Sequence, residues 1–290
     1  MDLQIFLIQV LNSVQYGLTL FLVASGLTLI FGIMGVINLA HGSFYMLGAY
    51  AAFVLSSLTG SLLVAIVLGV VLAVAFGYLL EWAFVSFLYE RTHLQQVLLT
   101  YGLILVFEEL RSLAVGDDVH GVAVPAVLSA SIPLGSTMAY PVYNLFISAA
   151  CLAVAALLFA LLRHTRLGMM IRAGASNREM VRSLGIDVGT LFRVVFALGV
   201  ALAAFAGMVA APASSVYPGM GNQVLILCFV VVVIGGIGSV TGALVGALLI
   251  GFVDTFGKVF LPDYAGAFVY LLMAIVLVWR PEGLFRETTA

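Results

Sequence analysis

The chain has 290 residues, of which 64% are hydrophobic and 8% are charged, and its formal net charge is −2. Soluble domains carry about 25% charged residues, so this composition excludes a soluble globule and offers no basic surface for nucleic acid. The sequence therefore predicts an all-α integral membrane protein, a polytopic bundle of transmembrane helices that forms one domain over residues 1–290 in the lipid bilayer.

Eight apolar runs are long enough to cross a membrane, for which a helix needs about 20 residues. They cover residues 5–31, 36–57, 61–80, 94–113, 142–162, 191–211, 223–253 and 264–279. The seventh run is too long for one simple span, so we expect about 8 spans within a range of 8 to 10.

The first run carries a polar stripe made of Gln9, Asn12, Ser13 and Tyr16. Their i, i+3, i+4, i+7 spacing places all four on one face of a helix. Because an unsatisfied amide in hydrocarbon costs several kcal/mol, this face must meet protein or water rather than lipid. Two interpretations remain open, namely hydrogen bonding between helices and the lining of a translocation pathway.

Glycine-rich segments in the first and last thirds of the chain share a pattern. "FGIMGVINLAHGSFYMLGAY" and "IGGIGSVTGALVGALLIGFV" align at a constant offset of 203 residues, which pairs Gly32 with Gly235 and Gly35 with Gly238. A twofold internal repeat would bring broken helices and a substrate path together near mid-membrane, whereas independent helices would use glycine for packing alone. Helix breaks or close packing are expected at Gly32, Gly35, Gly235, Gly236, Gly238, Gly242 and Gly246.

Three polar residues, Asn38, His41 and Ser43, lie just past the first glycine break. Backbone groups freed by a break need partners, and the amino terminus of a half-helix attracts a carboxylate. These side chains are therefore either satisfied core residues or part of the same translocation pathway.

Two acids, Glu108 and Glu109, lie near the end of the fourth run. Intramembrane acids often mark proton or sodium routes, which keeps an ion-driven secondary carrier as an alternative function. Their closeness to Arg111 also fits an ion pair at the membrane interface.

Basic residues concentrate in one loop, because six of the eleven Lys and Arg residues lie between Arg163 and Arg193. By the positive-inside rule this loop, residues 163–190, is cytoplasmic. Counting back over five spans puts the amino terminus outside. Counting forward over three simple spans would put Arg280 and Arg286 outside as well, against the rule, so a break within the seventh run is expected to reverse the direction of the chain.

The loop contains "SNREMVRSLG", which has the features of a short capped helix. Ser176 and Glu179 match a capping box, and Gly185 is placed to end the helix in the left-handed conformation. On a helical wheel Met180, Val181 and Leu184 share one face, while Arg178, Glu179 and Arg182 take the other. An isolated helix of about eight residues is marginal in water, so it must rest on lipid headgroups or on another protein.

Catalytic motifs are missing from the sequence. It contains no GxxxxGK[ST] phosphate loop, no HExxH, no GxSxG and no Cys and His cluster at metal spacing. We therefore expect no catalytic residue, no metal and no cofactor on this chain, and a separate source for any ATP hydrolysis.

Four segments in order resemble the permease subunits of branched-chain amino acid ABC importers, the LivH type. They are "GVINLAHGSFYMLGAY", "RAGASNREMVRSLGI", "VIGGIGSVTGALVGALLIG" and "RPEGLF". The resemblance implies a permease domain of the bacterial inner membrane that pairs with a second, homologous permease subunit. It also implies two ATPase subunits that hold ATP and Mg, and a periplasmic binding protein that delivers leucine, isoleucine or valine.

By the same resemblance the loop helix is the coupling helix, which docks on an ATPase subunit. Met180, Val181 and Leu184 then form the docking face, with Arg178, Glu179 and Arg182 at its rim. Related permeases carry amides, urea or aromatic acids, so these solutes are alternatives to the branched-chain amino acids.

Overall fold

The computed structural model describes residues 3–89, 91–134 and 138–285, and its regular structure there is almost entirely helical. One antiparallel hairpin, β1 (Ser131–Pro133) and β2 (Ala139–Pro141), lies in the long loop before the fifth helix. The helices are α1 (Leu3–Met34), α2 (His41–Thr59), α3 (Leu62–Ala83), α4 (His93–Val115), α5 (Val142–His164), α6 (Arg166–Ser176), α7 (Arg178–Ser183), α8 (Val188–Ser214), α9 (Met220–Gly235), α10 (Val240–Phe260) and α11 (Ala265–Trp279). The predicted all-α polytopic bundle is confirmed.

Seven helices in the described ranges are long and apolar enough to cross a membrane, namely α1, α2, α3, α5, α8, α10 and α11 together with the turn before it. The predicted span at residues 94–113 forms α4, which has the length of a span but a more polar composition. The seventh predicted run is divided between α9, which is 16 residues long, and α10, which has 21.

The predicted break in the seventh run lies between Gly235 and Val240. Gly236 and Gly238 there have φ of +98° and +86°, a left-handed backbone that favours glycine. The chain then turns back on itself, because a Cβ on Gly246 would lie 2.9 Å from the Val231 carbonyl oxygen of α9. Helices α9 and α10 are therefore antiparallel, and the break reverses the chain as predicted.

The first break follows α1, where Gly35 has φ of +63°. The imidazole Nε2 of His41, at the start of α2, lies 2.9 Å from the carbonyl oxygen of Val23. Val23 precedes the last residue of α1 by 34 − 23 = 11 positions, or about 17 Å along the helix. Residues 35–40 therefore return along α1, and α2 begins deep inside the bundle.

Several segments meet at one end of the bundle, which we call the loop end because it carries α6 and α7. Gly32 of α1 approaches the second break, since a Cβ on it would lie 3.0 Å from the Cα of Gly238. The amide of Leu284 donates to the carbonyl of Ile234 at 2.8 Å. The last described residues therefore lie at the same end as the arginine-rich loop, as the charge argument predicted, while Arg286 lies outside the described residues.

Helix α1 is the centre of the bundle and packs against α5, α8, α9 and α10, while α8 packs against α2 and α3. Glycine allows the closest of these contacts. A Cβ on Gly207 of α8 would overlap the Tyr45 carbonyl oxygen of α2, and a Cβ on Gly242 would overlap the Gly235 carbonyl. The predicted packing role of Gly242 is therefore visible in the backbone distances, and Gly207 packs in the same way.

The internal repeat is supported by the order of the elements. At the offset of 203 residues the left-handed Gly35 coincides with the left-handed Gly238. The first residue of α3 coincides with the first residue of α11, because 62 + 203 = 265. Helices α9, α10 and α11 therefore follow the same order as α1, α2 and α3, but α10 begins four residues before the position that matches the start of α2, because 41 + 203 = 244, and α9 is half the length of α1, with 16 residues against 32.

Candidate coupling surface and translocation pathway

Helix α6 is an amphipathic helix that lies on the loop end of the bundle. It begins after Thr165, whose hydroxyl accepts a hydrogen bond from the amide of Gly168 at 3.0 Å. Gly174 is buried, and a Cβ on it would lie 3.4 Å from Leu191 of α8 and 3.7 Å from Ile33 of α1. The helix therefore rests on α1 and α8 and supports the start of α7.

The amino-terminal cap of α7 differs from the prediction. Ser176 is the last residue of α6, and Asn177 caps α7 by accepting a hydrogen bond from the amide of Met180 at 2.9 Å. The predicted capping box of Ser176 and Glu179 is therefore wrong, because Asn177 is the residue that leaves the helical conformation, with φ of −154°. As a result α7 has six residues rather than eight.

The carboxyl-terminal end of α7 is as predicted. Gly185 has φ of +81°, and its amide donates to the Arg182 carbonyl at 3.0 Å. The amide of Ile186 donates to the Val181 carbonyl at 3.3 Å, which completes a Schellman motif. Helix α7 therefore has a defined end despite its short length.

The apolar residues of α7 do not form one exposed face. Val181 is 2% exposed and anchors the helix to the bundle, whereas Met180 is 63% exposed and Leu184 is 74% exposed. The expectation that Val181 shares a docking face needs correction, because its side chain is covered by this chain itself. Met180 and Leu184 remain as the apolar surface that α7 offers to a partner.

The charged residues of α7 also differ in their contacts. Arg178, Glu179 and Arg182 are all exposed, but the guanidinium of Arg178 also contacts the bundle, with its carbon 5.6 Å from the ring centre of Phe192 in α8. A Cβ on Gly35 would lie 2.8 Å from an Nη atom of the same guanidinium. Desolvation by these neighbours lowers the pKa of Arg178 from its ordinary value.

The loop ends at Asp187, which caps the start of α8. Its carboxylate accepts hydrogen bonds from the amide of Gly189 at 2.9 Å and from the hydroxyl of Thr190 at 2.6 Å. The hydrogen bond from the Thr190 hydroxyl is the main cause that lowers the pKa of this carboxyl. Both ends of the loop are therefore fixed by side-chain caps.

The buried acid Glu81, near the end of α3, was not predicted as a functional residue from the sequence. Its carboxylate lies 3.5 Å from Nε of Arg193 in α8 and accepts a hydrogen bond from the hydroxyl of Tyr89. The ring of Tyr89 meets that of Phe192 edge to face, with centroids 5.0 Å apart. The sequence did hold a signal for this pair. Glu81 directly follows a run without charged residues, and Arg193 lies at the start of another span.

The predicted polar stripe of α1 is used for contacts within the chain. Ser13 is buried and donates to the carbonyl of Gln9 at 2.7 Å, while Asn12 accepts from the hydroxyl of Tyr140 at 3.0 Å. The Ser13 and Gln9 contact lies within α1 and Tyr140 belongs to strand β2, so these hydrogen bonds do not join two helices and the interhelical interpretation stays a prediction. Its role in lining a translocation pathway also stays a prediction.

Tyr16, the fourth residue of the stripe, faces two charged residues of α10 that the sequence analysis also missed. Nζ of Lys258 lies 5.5 Å from the ring centre of Tyr16 and 2.5 Å from the buried carboxylate of Asp254. The sequence could have indicated this pair, because Asp254 and Lys258 are four residues apart near the end of an apolar run, a spacing at which side chains on a helix interact.

The residues after the first break are buried inside the chain. Asn38 accepts from the amide of Ala40 at 3.0 Å, and His41 contacts Val23 as described above. One nitrogen of Asn38 and one of His41 are buried without a hydrogen-bond partner. Ser43 is also buried, so in this conformation all three occupy the interior, and their role in a translocation pathway stays a prediction.

The amino termini of α2 and α9 meet beside these residues. A Cβ on Gly221 of α9 would lie 2.8 Å from the carbonyl oxygen of Gly42 in α2. Neither helix has a side-chain cap at this end. Two helix ends with partial positive charge therefore adjoin inside the bundle.

An apolar cavity of about 370 Å³ lies between α2, α3 and α8. Its lining includes Phe44, Phe76 and Met208 and none of the predicted pathway residues. Because an amino acid is zwitterionic and needs polar partners, this cavity does not suit such a substrate.

The sequence matches known transport proteins along almost its whole length. A family model described as "Branched-chain amino acid transport system / permease component" matches residues 9–277. The chain is 31% identical to the high-affinity branched-chain amino acid transport system permease protein BraD of Pseudomonas aeruginosa, with 96% of this chain and 95% of that protein covered. It is 30% identical to the corresponding permease protein LivH of Escherichia coli K12, with the same two shares covered. A shorter match, 36% identical over 101 residues and 32% of each chain, is to the ribose import permease protein RbsC of Escherichia coli K12.

Proposed function

The chain belongs to the family of permease components of branched-chain amino acid transport systems, and from this premise we propose that it is the membrane-embedded permease subunit of an ATP-driven importer for leucine, isoleucine or valine. The observation that carries the proposal is the end-to-end similarity to permeases named for these substrates, which covers 96% of the chain. The similarity to the ribose permease covers only 32% of the chain, so it does not support ribose as the substrate.

The proposed assembly contains the partners that a permease without an ATP site requires. They are a second, homologous permease subunit, two ATPase subunits with their ATP and Mg, and a periplasmic binding protein. The chain itself contributes a multi-pass membrane domain, which we place in the bacterial inner membrane.

The proposed contact with the ATPase is the surface of Met180 and Leu184 on α7. Two features support it: the helix is held in place by the buried Val181, and both side chains point away from the bundle. Apolar anchors on a short helix are a common means of docking into a groove of a partner. ATP binding can shift the permease between two states only if the ATPase contacts those states differently, and α7 is the element placed to make that contact.

The proposed translocation pathway involves the breaks near mid-membrane. The adjoining amino termini of α2 and α9 and the unpartnered nitrogens of Asn38 and His41 support this proposal, because such groups attract the carboxylate of an amino acid. Access would require α2 and α9 to separate, since their backbones are in contact here.

The docking surface is tested by Leu184→Asp. Because Leu184 is 74% exposed, the substitution leaves membrane insertion unchanged, and we expect it to reduce the recovery of ATPase subunits in co-purification by about tenfold, as for loss of a central apolar anchor. Leucine uptake should fall in parallel.

The matched control is Val127→Asp, because Val127 is also an exposed apolar residue, at 87%, but lies in the loop between α4 and α5, away from α7. Val127→Asp should leave ATPase recovery at the wild-type level. If ATPase recovery and uptake in Leu184→Asp match the wild type, the proposed docking surface is wrong.

A further inference from the structure

Arg178 is the residue that joins α7 to the first glycine break. The three atoms nearest to a Cβ on Gly35 all belong to the Arg178 guanidinium, at 2.8, 3.8 and 3.9 Å. Gly35 directly follows α1, whose last carbonyls carry a partial negative charge that favours a cation. The guanidinium is therefore positioned on the end of the central helix of the bundle.

The guanidinium carbon of Arg178 also lies over the ring of Phe192, 5.6 Å from the ring centre. Phe192 contacts Tyr89, and the hydroxyl of Tyr89 donates to Glu81 in α3. Arg178 thus lies between Gly35 and a connected group of side chains from α3 and α8. A movement of α7 along the bundle would change both contacts at once.

The segment that follows Gly35 is the one that leads into the bundle. The amide of Ile37 donates to the side chain of Gln96 in α4 at 3.2 Å, and His41 contacts Val23 about 17 Å from the loop end. Only residues 36–40 separate Gly35 from the buried start of α2, where α2 adjoins α9.

We propose that Arg178 is the positioning residue that transmits movement of α7 to the first glycine break, and thereby couples the ATPase contact to the buried ends of α2 and α9. This inference rests on the proposed function. Within it, Met180 and Leu184 hold the partner, whereas Arg178 converts a movement of α7 into a movement of the pathway.

The test compares leucine taken up per ATP hydrolysed in proteoliposomes that contain the complete importer. Arg178→Ala removes the guanidinium from Gly35 and Phe192, so we expect this ratio to fall about fivefold or more, the lower range of a coupling interaction. ATPase co-purification should stay at the wild-type level. Arg178→Lys keeps the charge but not the planar group that stacks on a ring, and should give an intermediate ratio.

Arg166→Ala is the matched control, because Arg166 is an exposed arginine at the start of α6. Its ratio should equal that of the wild type. An unchanged ratio in Arg178→Ala would overturn the proposal, and so would a loss of ATPase co-purification, which would make Arg178 a docking residue. The proposed function itself is tested separately by the wild-type complex. If that complex shows no ATP-dependent uptake of leucine, the proposed function is wrong.

Discussion

Glu81 is a carboxylate that is 0% exposed within α3, held by groups from two other segments. Arg193 supplies the opposite charge and Tyr89 a hydrogen bond. Burying a charge is unfavourable unless an opposite charge and hydrogen bonds compensate for the lost hydration. Removing one partner of a buried pair is therefore destabilising. The pair therefore fixes the relative positions of α3 and α8 at the loop end.

Replacing this acid tests its structural role. Glu81→Ala removes the counter-charge of the partly exposed Arg193 and the acceptor of the Tyr89 hydroxyl, and we expect the free energy of unfolding to fall by about 1–3 kcal/mol, seen as a lower melting temperature of the purified chain in detergent. Glu109→Ala, which removes an exposed carboxylate, should change stability by less than about 0.5 kcal/mol. Equal melting temperatures for the two variants would contradict the account of Glu81.

Some features of α7 could be predicted from the sequence and others could not. The apolar arc of Met180, Val181 and Leu184 could be predicted from helical periodicity. It could not be predicted which of the three side chains faces the bundle, because that depends on how α7 lies against α1 and α8. The cap moved from Ser176 to Asn177 for a similar reason, since the length of α6 is set by its packing on those helices.

Helices of this bundle approach each other at glycines, as at the crossing of α2 and α8. Gly207 faces the backbone of Tyr45, and Gly48 faces the backbone of Ala204. Backbone atoms cannot rotate away as a flexible side chain can. A methyl group at either glycine would therefore separate the two helices.

Gly207→Ala should lower stability by about 1–3 kcal/mol, the usual cost of overpacking. Gly102→Ala is the control, because Gly102 lies within α4 with no atom within 4 Å of an added Cβ, and alanine favours a helix by about 0.5–1 kcal/mol over glycine. Thermal unfolding in detergent measures both variants. The packing account is contradicted if Gly207→Ala is as stable as the wild type.

The glycine breaks themselves could be predicted from the sequence, and the charge distribution indicated that one of them reverses the chain. The depth at which α2 begins could not be predicted. It depends on contacts with distant segments, namely His41 with Val23 and Ile37 with Gln96, which no local pattern reveals. For the same reason the polar stripe of α1 did not indicate its neighbours Asp254 and Lys258.

The molecule as a whole has the design of a subunit rather than of a self-sufficient carrier. Helix α1 packs against α9 and α10 of the second set of helices, and the loop end presents Met180 and Leu184 on a helix that is fixed at both ends. Exposed apolar side chains cover α3 and much of α4, where they can meet lipid or a second permease subunit. In the proposed function, the energy source comes through contacts with other proteins.

The most direct measurement is uptake of radiolabelled leucine by proteoliposomes that contain the chain with its second permease subunit and ATPase subunits. We predict that uptake requires ATP on the side of α7 and the binding protein on the opposite side, and that it continues when ion gradients are dissipated. Uptake by this chain alone, driven by a sodium or proton gradient without ATP, would contradict the account.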